Sequence, residues 1–250
     1  MLQEQNKGNQ QQNAQPQQPD QKVELLIEFT KDEDARTRAT AIVGLAKLQE
    51  PRGFAPVLVT LFDPVDEVRI AAATALGMYA EDRAFEALVE CLNDPCEQVG
   101  VNCAWALGQL PTTRAFNQLI TIIQNEDYAL AIRTAAATAI GERAEILDSD
   151  ITTSDELIES ARIALTAQLQ NPCDDLRASA VWSLGHLPAC TQTTDACINM
   201  LQDKYEWVVR YAIEALVQFD DARAVQPIRD LLPQNEEIRQ LVAQALELLQ

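Results

Sequence analysis

Histidine is almost missing from this chain: His186 stands alone among 250 residues. One imidazole, with no Cys-x-x-Cys spacing to help it, leaves no four-ligand metal site within a single stretch and no Ser/His/Asp set. Basic side chains are scarce too. Nineteen Lys and Arg stand against 38 Asp and Glu, a formal charge of −19. Phosphate affinity is built from Lys and Arg contacts, so the balance argues against nucleic acid and anionic membranes as partners. No apolar run is long enough to cross a bilayer, and the first residues do not read as a secretory signal, so a cytoplasmic location is expected. Aromatics make up only 5% of a chain that is 47% hydrophobic. That favours many thin helices packed through small side chains over a few thick layers. The six cysteines have no tight framework spacing, and the chain is long enough to fold by burial alone; they read as reduced thiols.

What the chain does have is one phrase said many times. Asp63-Pro64-Val65-Asp66-Glu67-Val68-Arg69 leads into Ile70-Ala71-Ala72-Ala73-Thr74-Ala75-Leu76-Gly77. Asp63 is suited to cap a helix, Pro64 to its first turn, and the acids to its positive end. Val68, Ala72, Ala75 and Leu76 then share a narrow apolar stripe of small side chains. Aligned on Gly77, the phrase recurs at Gly44, Gly108, Gly141, Gly185, Val217 and Glu247. An arginine precedes most of these by seven or eight residues: Arg36, Arg69, Arg133, Arg177, Arg210 and Arg239, with Gly100 in its place once. The period is about 30–33 residues with one longer step, the signature of a solenoid.

A second helix shares that period, opened by Arg52-Gly53-Phe54, Arg83-Ala84-Phe85, Arg114-Ala115-Phe116 and Arg223-Ala224-Val225. Each unit is helix, tight turn, helix. Such a unit has two apolar sides and buries both only by stacking on its neighbours. Residues 1–22 are rich in Gln and Asn and nearly free of apolar side chains, so they are expected to be a disordered tail, or a tether or recognition arm, ahead of a repeat domain over 23–250. The longer step comes from a polar insertion near 145–155, expected to be a loop.

The units resemble the HEAT-like repeats of phycobilisome (bilin) lyases and related cyanobacterial adaptors. Asp63, Pro64, Val68, Arg69, Ala72, Ala75, Leu76 and Gly77 match that pattern, as do Asp94, Pro95, Val99, Ala104, Ala106, Leu107 and Gly108. Arg133, Ala136, Ala139 and Gly141 continue it, followed by Pro172, Leu176, Arg177, Leu184 and Gly185. The resemblance implies an all-α fold, a right-handed α-solenoid of about seven helix pairs, with the second helices lining a concave surface. It also implies the tasks of those relatives: attaching or detaching open-chain tetrapyrroles on antenna proteins, degrading antennae, or serving iron–sulfur assembly. Deoxyhypusine hydroxylases, which resemble a series of His-Glu pairs, are excluded by the single histidine. HEAT-like DNA glycosylases, with a basic groove, are disfavoured by the acidity.

Candidate binding residues follow from the repeat. Trp105 and Trp182 occupy one slot, three residues before the register glycine, where other units carry Thr74, Thr138 and Glu214. A slot that tolerates Thr and Glu faces solvent at least in part, which makes the two indoles spaced anchors for a partner; the alternative is that each packs into the inter-repeat core. Trp207 and Tyr205 extend that patch. Arg69, Arg133 and Arg177 either pair with acids of neighbouring units as a ladder or grip carboxylates of a partner, bilin propionates among them. Cys96 and Cys173 follow equivalent turns but are too far apart to share a metal, and Cys91, Cys103, Cys190 and Cys197 read as buried or turn thiols. His186 suits the end of a helix. The expectation is therefore a non-catalytic scaffold with no cofactor, metal or catalytic set of its own, binding another protein through its concave face. The alternatives are a bilin lyase-type chaperone that transiently holds an open-chain tetrapyrrole, its partner a phycobiliprotein, and an adaptor to an iron–sulfur carrier.

Overall fold

Turns between paired helices are held by a side chain folding back on its own backbone. The Val65 N–H donates to Asp63 Oδ1 at 2.9 Å, Cys96 N–H to Asp94 Oδ1 at 2.8 Å, Cys173 N–H to Asn171 Oδ1 at 3.0 Å, and Tyr205 N–H to Asp203 Oδ1 at 2.8 Å. These are Asx turns, which Asp and Asn form because their short side chains mimic a backbone turn. The computed structural model describes residues 18–150, 155–231 and 236–249, with the side chains of 18–19 and 145–150 set aside. In it the helix after Asp63 starts only at Asp66, with Val65 as its capping residue. Asp63 thus organises the turn instead of capping the helix, because its oxygen is committed to Val65.

Among the described residues fourteen α-helices form seven pairs. They are α1 (Gln18–Phe29) with α2 (Ala35–Leu48), α3 (Phe54–Thr60) with α4 (Asp66–Tyr79), and α5 (Phe85–Glu90) with α6 (Glu97–Gln109). Next come α7 (Thr113–Gln124) with α8 (Leu130–Asp150), α9 (Asp155–Gln168) with α10 (Asp174–His186), α11 (Thr191–Met200) with α12 (Glu206–Phe219), and α13 (Val225–Arg229) with α14 (Glu236–Leu248). The fold is an all-α solenoid. Helix α1 opens at Gln18, ahead of the expected start at Val23; residues 1–17 of the expected tail lie outside the described residues. The expected 145–155 loop begins as a continuation of α8, whose backbone stays helical to Asp150, and 151–154 lie outside the described residues.

Packing follows the repeat position by position. Leu45, Leu76, Leu107, Ile140, Leu184 and Leu216 hold one equivalent position, and all are fully buried. Nine residues before the register glycine, Val68, Val99, Ile132, Leu176 and Val208 are buried as well. Burying one such side chain stabilises by roughly 1.5–3 kcal/mol, so the two rows supply much of the driving force for stacking. The same rows correct the first unit: Leu45 is followed by Ala46, so Ala46, not Gly44, stands in the glycine position.

Consecutive second helices, α2 through α12, pack against each other along their lengths, while first helices touch one another sparingly. Alanines make the close spacing possible: Ala72, Ala75, Ala104, Ala106, Ala136, Ala139, Ala180, Ala212 and Ala215 are all buried in or beside this layer. Glycine is required where an indole crosses. A Cβ on Gly77 would come 2.5 Å from Trp105 Cζ3, and one on Gly141 2.5 Å from Trp182 Cζ3.

Candidate protein-binding face

The slot three residues before the register glycine is half-exposed on α4, α6, α8, α10 and α12, where it holds Thr74, Trp105, Thr138, Trp182 and Glu214. Trp105 and Trp182 are neither sealed nor free. Each lays its six-membered ring over a glycine of the preceding second helix, Gly77 or Gly141, and stays partly accessible. Trp182 also stacks on His186, the ring centroids 4.1 Å apart, and His186 Nδ1 lies 2.8 Å from the Trp182 carbonyl. Polar side chains tie the same face together. Asn102 donates to Thr74 Oγ1 at 2.9 Å, and Gln109 to Glu142 Oε2 at 3.4 Å.

The sixth unit is different. Tyr205 precedes α12, Trp207 lies in its first turn, and Tyr211 follows one turn on. The last two rings sit 5.9 Å apart, as i, i+4 neighbours on a helix do. Trp207 is 48% exposed. The Arg210 guanidinium rests 5.3 Å from the Trp207 ring centre, and its Nε donates to Glu214 at 3.1 Å. Tyr205 donates its phenol proton to Asp175 Oδ1, on α10, at 3.2 Å. Burial and the carboxylates of Asp175 and Asp174 push the Tyr205 phenol up from its ordinary range, which keeps it a donor. Between α10 and α12 the three aromatics, with Asp175, Ala178 and Ser179, line an open notch of about 250 Å³. Tyr211 and Asp175 escaped the sequence reading, although the i, i+4 spacing of Trp207 and Tyr211 was there to be seen.

The arginines belong to the spine of the stack. Arg69 donates from Nε and Nη2 to the two Asp94 oxygens, each at 2.8 Å, and from Nη1 to the Asp63 carbonyl at 2.8 Å. Arg177 repeats the arrangement, gripping Asp203 twice at 2.8 Å and the Asn171 carbonyl at 2.9 Å. Arg38 does the same with Asp63 and the Asp32 carbonyl, all at 2.8 Å. Each of these arginines therefore fastens its own turn to the next one along. Arg38, not Arg36, is the member from the first unit, in keeping with the shifted register there. Arg210 is one residue out of register and Val209 occupies the ladder position. Arg133 is 6% exposed, donating to the Ile123 carbonyl at 3.1 Å and to Gln168 Oε1 at 2.9 Å. Bidentate reach toward an outside carboxylate is therefore already committed inside the chain for Arg69 and Arg177.

Burial pushes the carboxyls of Asp94 and Asp203 up, but the arginines opposite and the N–H groups of Cys96 and Tyr205 outweigh it, so both lie below the ordinary Asp range. A second, exposed ladder runs along the entry to the first helices. Arg83 sits over the Phe54 ring at 4.3 Å and Arg114 over Phe85 at 4.2 Å, and Arg114 also pairs with Asp82 at 2.8 Å. All six cysteines are free thiols. The buried Cys91 thiol donates to the Leu61 carbonyl at 3.9 Å. Among the described residues no group of three or more His, Cys, Asp or Glu is arranged to hold a metal ion, and no helix is long and apolar enough to cross a membrane.

Comparison with known proteins accounts for the architecture. A family model described as HEAT repeats matches residues 23–100, 86–162 and 163–247. No curated protein sequence matches the chain. Among solved structures, the complex of CpcE and CpcF of phycocyanin lyase from Nostoc sp. PCC7120 contains a chain 19% identical, matched over 97% of this chain and 91% of that one with a TM-score of 0.55. An archaeal HEAT-like repeats protein from Thermococcus onnurineus NA1 is 15% identical over 94% and 98% of the two chains, with a TM-score of 0.57. An engineered protein matches at 19% identity over 91% and 68%, with a TM-score of 0.53. At these identities the likeness is one of fold.

Proposed function

The chain belongs to the HEAT-repeat family, and on that premise we propose that it is a non-catalytic adaptor that binds another protein along its second-helix face. What carries the reading is a single observation: this face presents Trp105 and Trp182 half-exposed and Trp207 exposed, in a chain otherwise poor in aromatics. Amphipathic rings fixed on a rigid helical layer are the residue type that dominates protein interfaces. The partner carries a basic patch complementary to a chain of charge −19, and the association weakens with added salt. Arg69, Arg133 and Arg177 are assigned to holding the stack together and not to the interface.

Photo-crosslinking tests this. A benzoylphenylalanine in place of Thr138, on the second-helix face, is expected to capture a discrete partner from extracts of the source organism. The same residue in place of Glu90, on the outer α5, is expected to capture none. Crosslinks formed equally from Glu90, or from Glu90 alone, would refute the assignment of the face. The rival reading, transient handling of an open-chain tetrapyrrole or of its acceptor phycobiliprotein, calls for a visible-spectrum shift when bilin is mixed with the protein. An adaptor to an iron–sulfur carrier instead calls for a captured partner that brings its own cluster.

A further inference from the structure

The repeat has a rule for the three outward positions at the start of each second helix, and the sixth unit breaks it at all three. In the second unit those positions hold Val65, Glu67 and Ala71; in the third, Cys96, Gln98 and Asn102; in the fifth, Cys173, Asp175 and Ser179. In the sixth they hold Tyr205, Trp207 and Tyr211. Folding does not ask for this, since the neighbouring units stack with small or polar residues there. A local departure from a pattern that otherwise serves the fold is where function is to be looked for.

The chemistry of the notch narrows what fits. Its walls are three aromatic rings and its polar end is the exposed Asp175 carboxylate, steadied by the Tyr205 hydroxyl, with Ser179 beside it. Among the described residues no cation pairs with Asp175; Lys204 and Arg177 both go to Asp174 instead. Aromatic faces attract cations, and a single carboxylate at the end of an aromatic cleft selects for one positive charge. Arg210, lying against Trp207, is an instance within the chain of a guanidinium accepted by that ring. Planar, weakly hydrated arginine stacks on such walls and forks onto a carboxylate, which the strongly hydrated lysine ammonium does not do.

We propose that the notch between α10 and α12 is the seat of an arginine side chain from a basic segment of the partner protein, stacked on Trp207 and Tyr211 and paired with Asp175. The proposal rests on the adaptor reading and names the chemistry of its partner.

The test uses the full chain and a fluorescein-labelled Gly-Ser peptide carrying four arginines, with the four-lysine peptide as comparison. Three tryptophans give three indole N–H signals in a proton–nitrogen spectrum, assignable by single Trp→Phe variants. The arginine peptide is expected to move the Trp207 signal and leave those of Trp105 and Trp182 in place. Trp207→Ala, a charge-neutral change at an exposed position, should weaken the arginine peptide by roughly three- to thirtyfold, the range of a partly desolvated cation–π contact. Asp175→Asn should weaken it as well, while Val59→Ala, equally neutral and exposed on α3, should not. The lysine peptide should bind more weakly and lose less on Trp207→Ala.

Peptide binding unchanged by Trp207→Ala, or a shift confined to Trp105 and Trp182, would overturn the notch. So would equal loss for the two peptides. The two readings fail separately. A partner crosslinked through Thr138 and retained by the Trp207→Ala chain sinks the notch and leaves the adaptor standing. Crosslinking only through Glu90 sinks the adaptor whatever the peptide does.

Discussion

Arg177→Met is the sharpest probe of how this stack is held. Arg177 and Asp203 expose 6% and 9% of their side chains, and two 2.8 Å bonds join them across neighbouring units. Methionine fills much the same space and removes the donors. The Asp203 carboxylate then keeps the Tyr205 N–H but loses its cation, and the Asn171 carbonyl loses the 2.9 Å bond it accepts. Removing one member of a fully buried pair costs about 3–5 kcal/mol, because the charge left behind is not resolvated. Here the turn is open to water on one edge and Lys204 stands nearby, so about 2–4 kcal/mol is expected. Combining Arg177→Met with Asp203→Asn removes the stranded charge while retaining an oxygen for the Asx turn, and should recover part of the loss, leaving about 1–2 kcal/mol. Urea unfolding followed by circular dichroism gives the totals. Hydrogen exchange on α10 through α12 shows whether the loss is local, as a stack with only nearest-neighbour contacts allows. A single variant costing less than about 1 kcal/mol, or a double variant worse than the single, would refute the account in which the arginine's main role is to neutralise the neighbouring turn.

Three more outcomes follow from the same geometry. The carboxyls of Asp63, Asp94 and Asp203 are depressed in the folded chain, so their stabilisation is complete above the unfolded Asp pKa of about 3.9 and lost as pH falls through the folded values. The urea midpoint should hold level or rise slightly from pH 7 toward pH 5 as the net charge relaxes, then drop steeply below pH 4; a decline that begins at pH 6 would contradict this. Gly77→Ala drives a methyl to 2.5 Å from Trp105 and 3.1 Å from the Ala106 backbone. It should cost about 1–3 kcal/mol despite alanine's better helix propensity, with the loss reduced in a Trp105→Leu background, as a double-mutant cycle would show. Ala80, which ends α4, has a φ of 51°, where a side chain is strained, so Ala80→Gly should stabilise by about 0.5–1 kcal/mol in thermal unfolding.

The solenoid was legible because the same physics repeats. Val68 and Leu76 are buried for the reason that Val99 and Leu107 are, and one unit read well predicts its neighbours. The register of the first unit was misread because Gly44 offered a glycine two residues early. The buried Leu45 and the ladder arginine Arg38 both point to Ala46, and packing outranks residue identity there. Asp63 was misplaced by the same kind of local reasoning. As a helix cap it would serve one helix; as an Asx turn it serves its own turn and receives Arg38 from the preceding unit. Nothing in a single unit reveals a bond made to the next.

The binding face was legible in kind and not in detail, and the tryptophans show why. Four register glycines, Gly77, Gly108, Gly141 and Gly185, look alike in sequence, yet two receive an indole and two an alanine, Ala139 or Ala215. Which residue crosses over is set by the following unit, whose slot holds Trp105 or Trp182 in two cases and Thr138 or Glu214 in the other two, so no one repeat shows it. Half-burial therefore settled neither expected role for Trp105 and Trp182; each ring fills a crossing and stays partly accessible. The sixth unit argues differently. Val209 sits where an arginine would join the turns, and three aromatics sit where small residues would do. That unit departs from the spacing rules of the stack at four positions within seven residues of one another and still buries Val208, Ala212 and Leu216 on schedule. A unit that keeps its core pattern while changing its outward face leaves stability an inadequate explanation for the change, and it is on this ground, ahead of exposure alone, that Trp207 outranks Trp105 and Trp182 as the anchor to test.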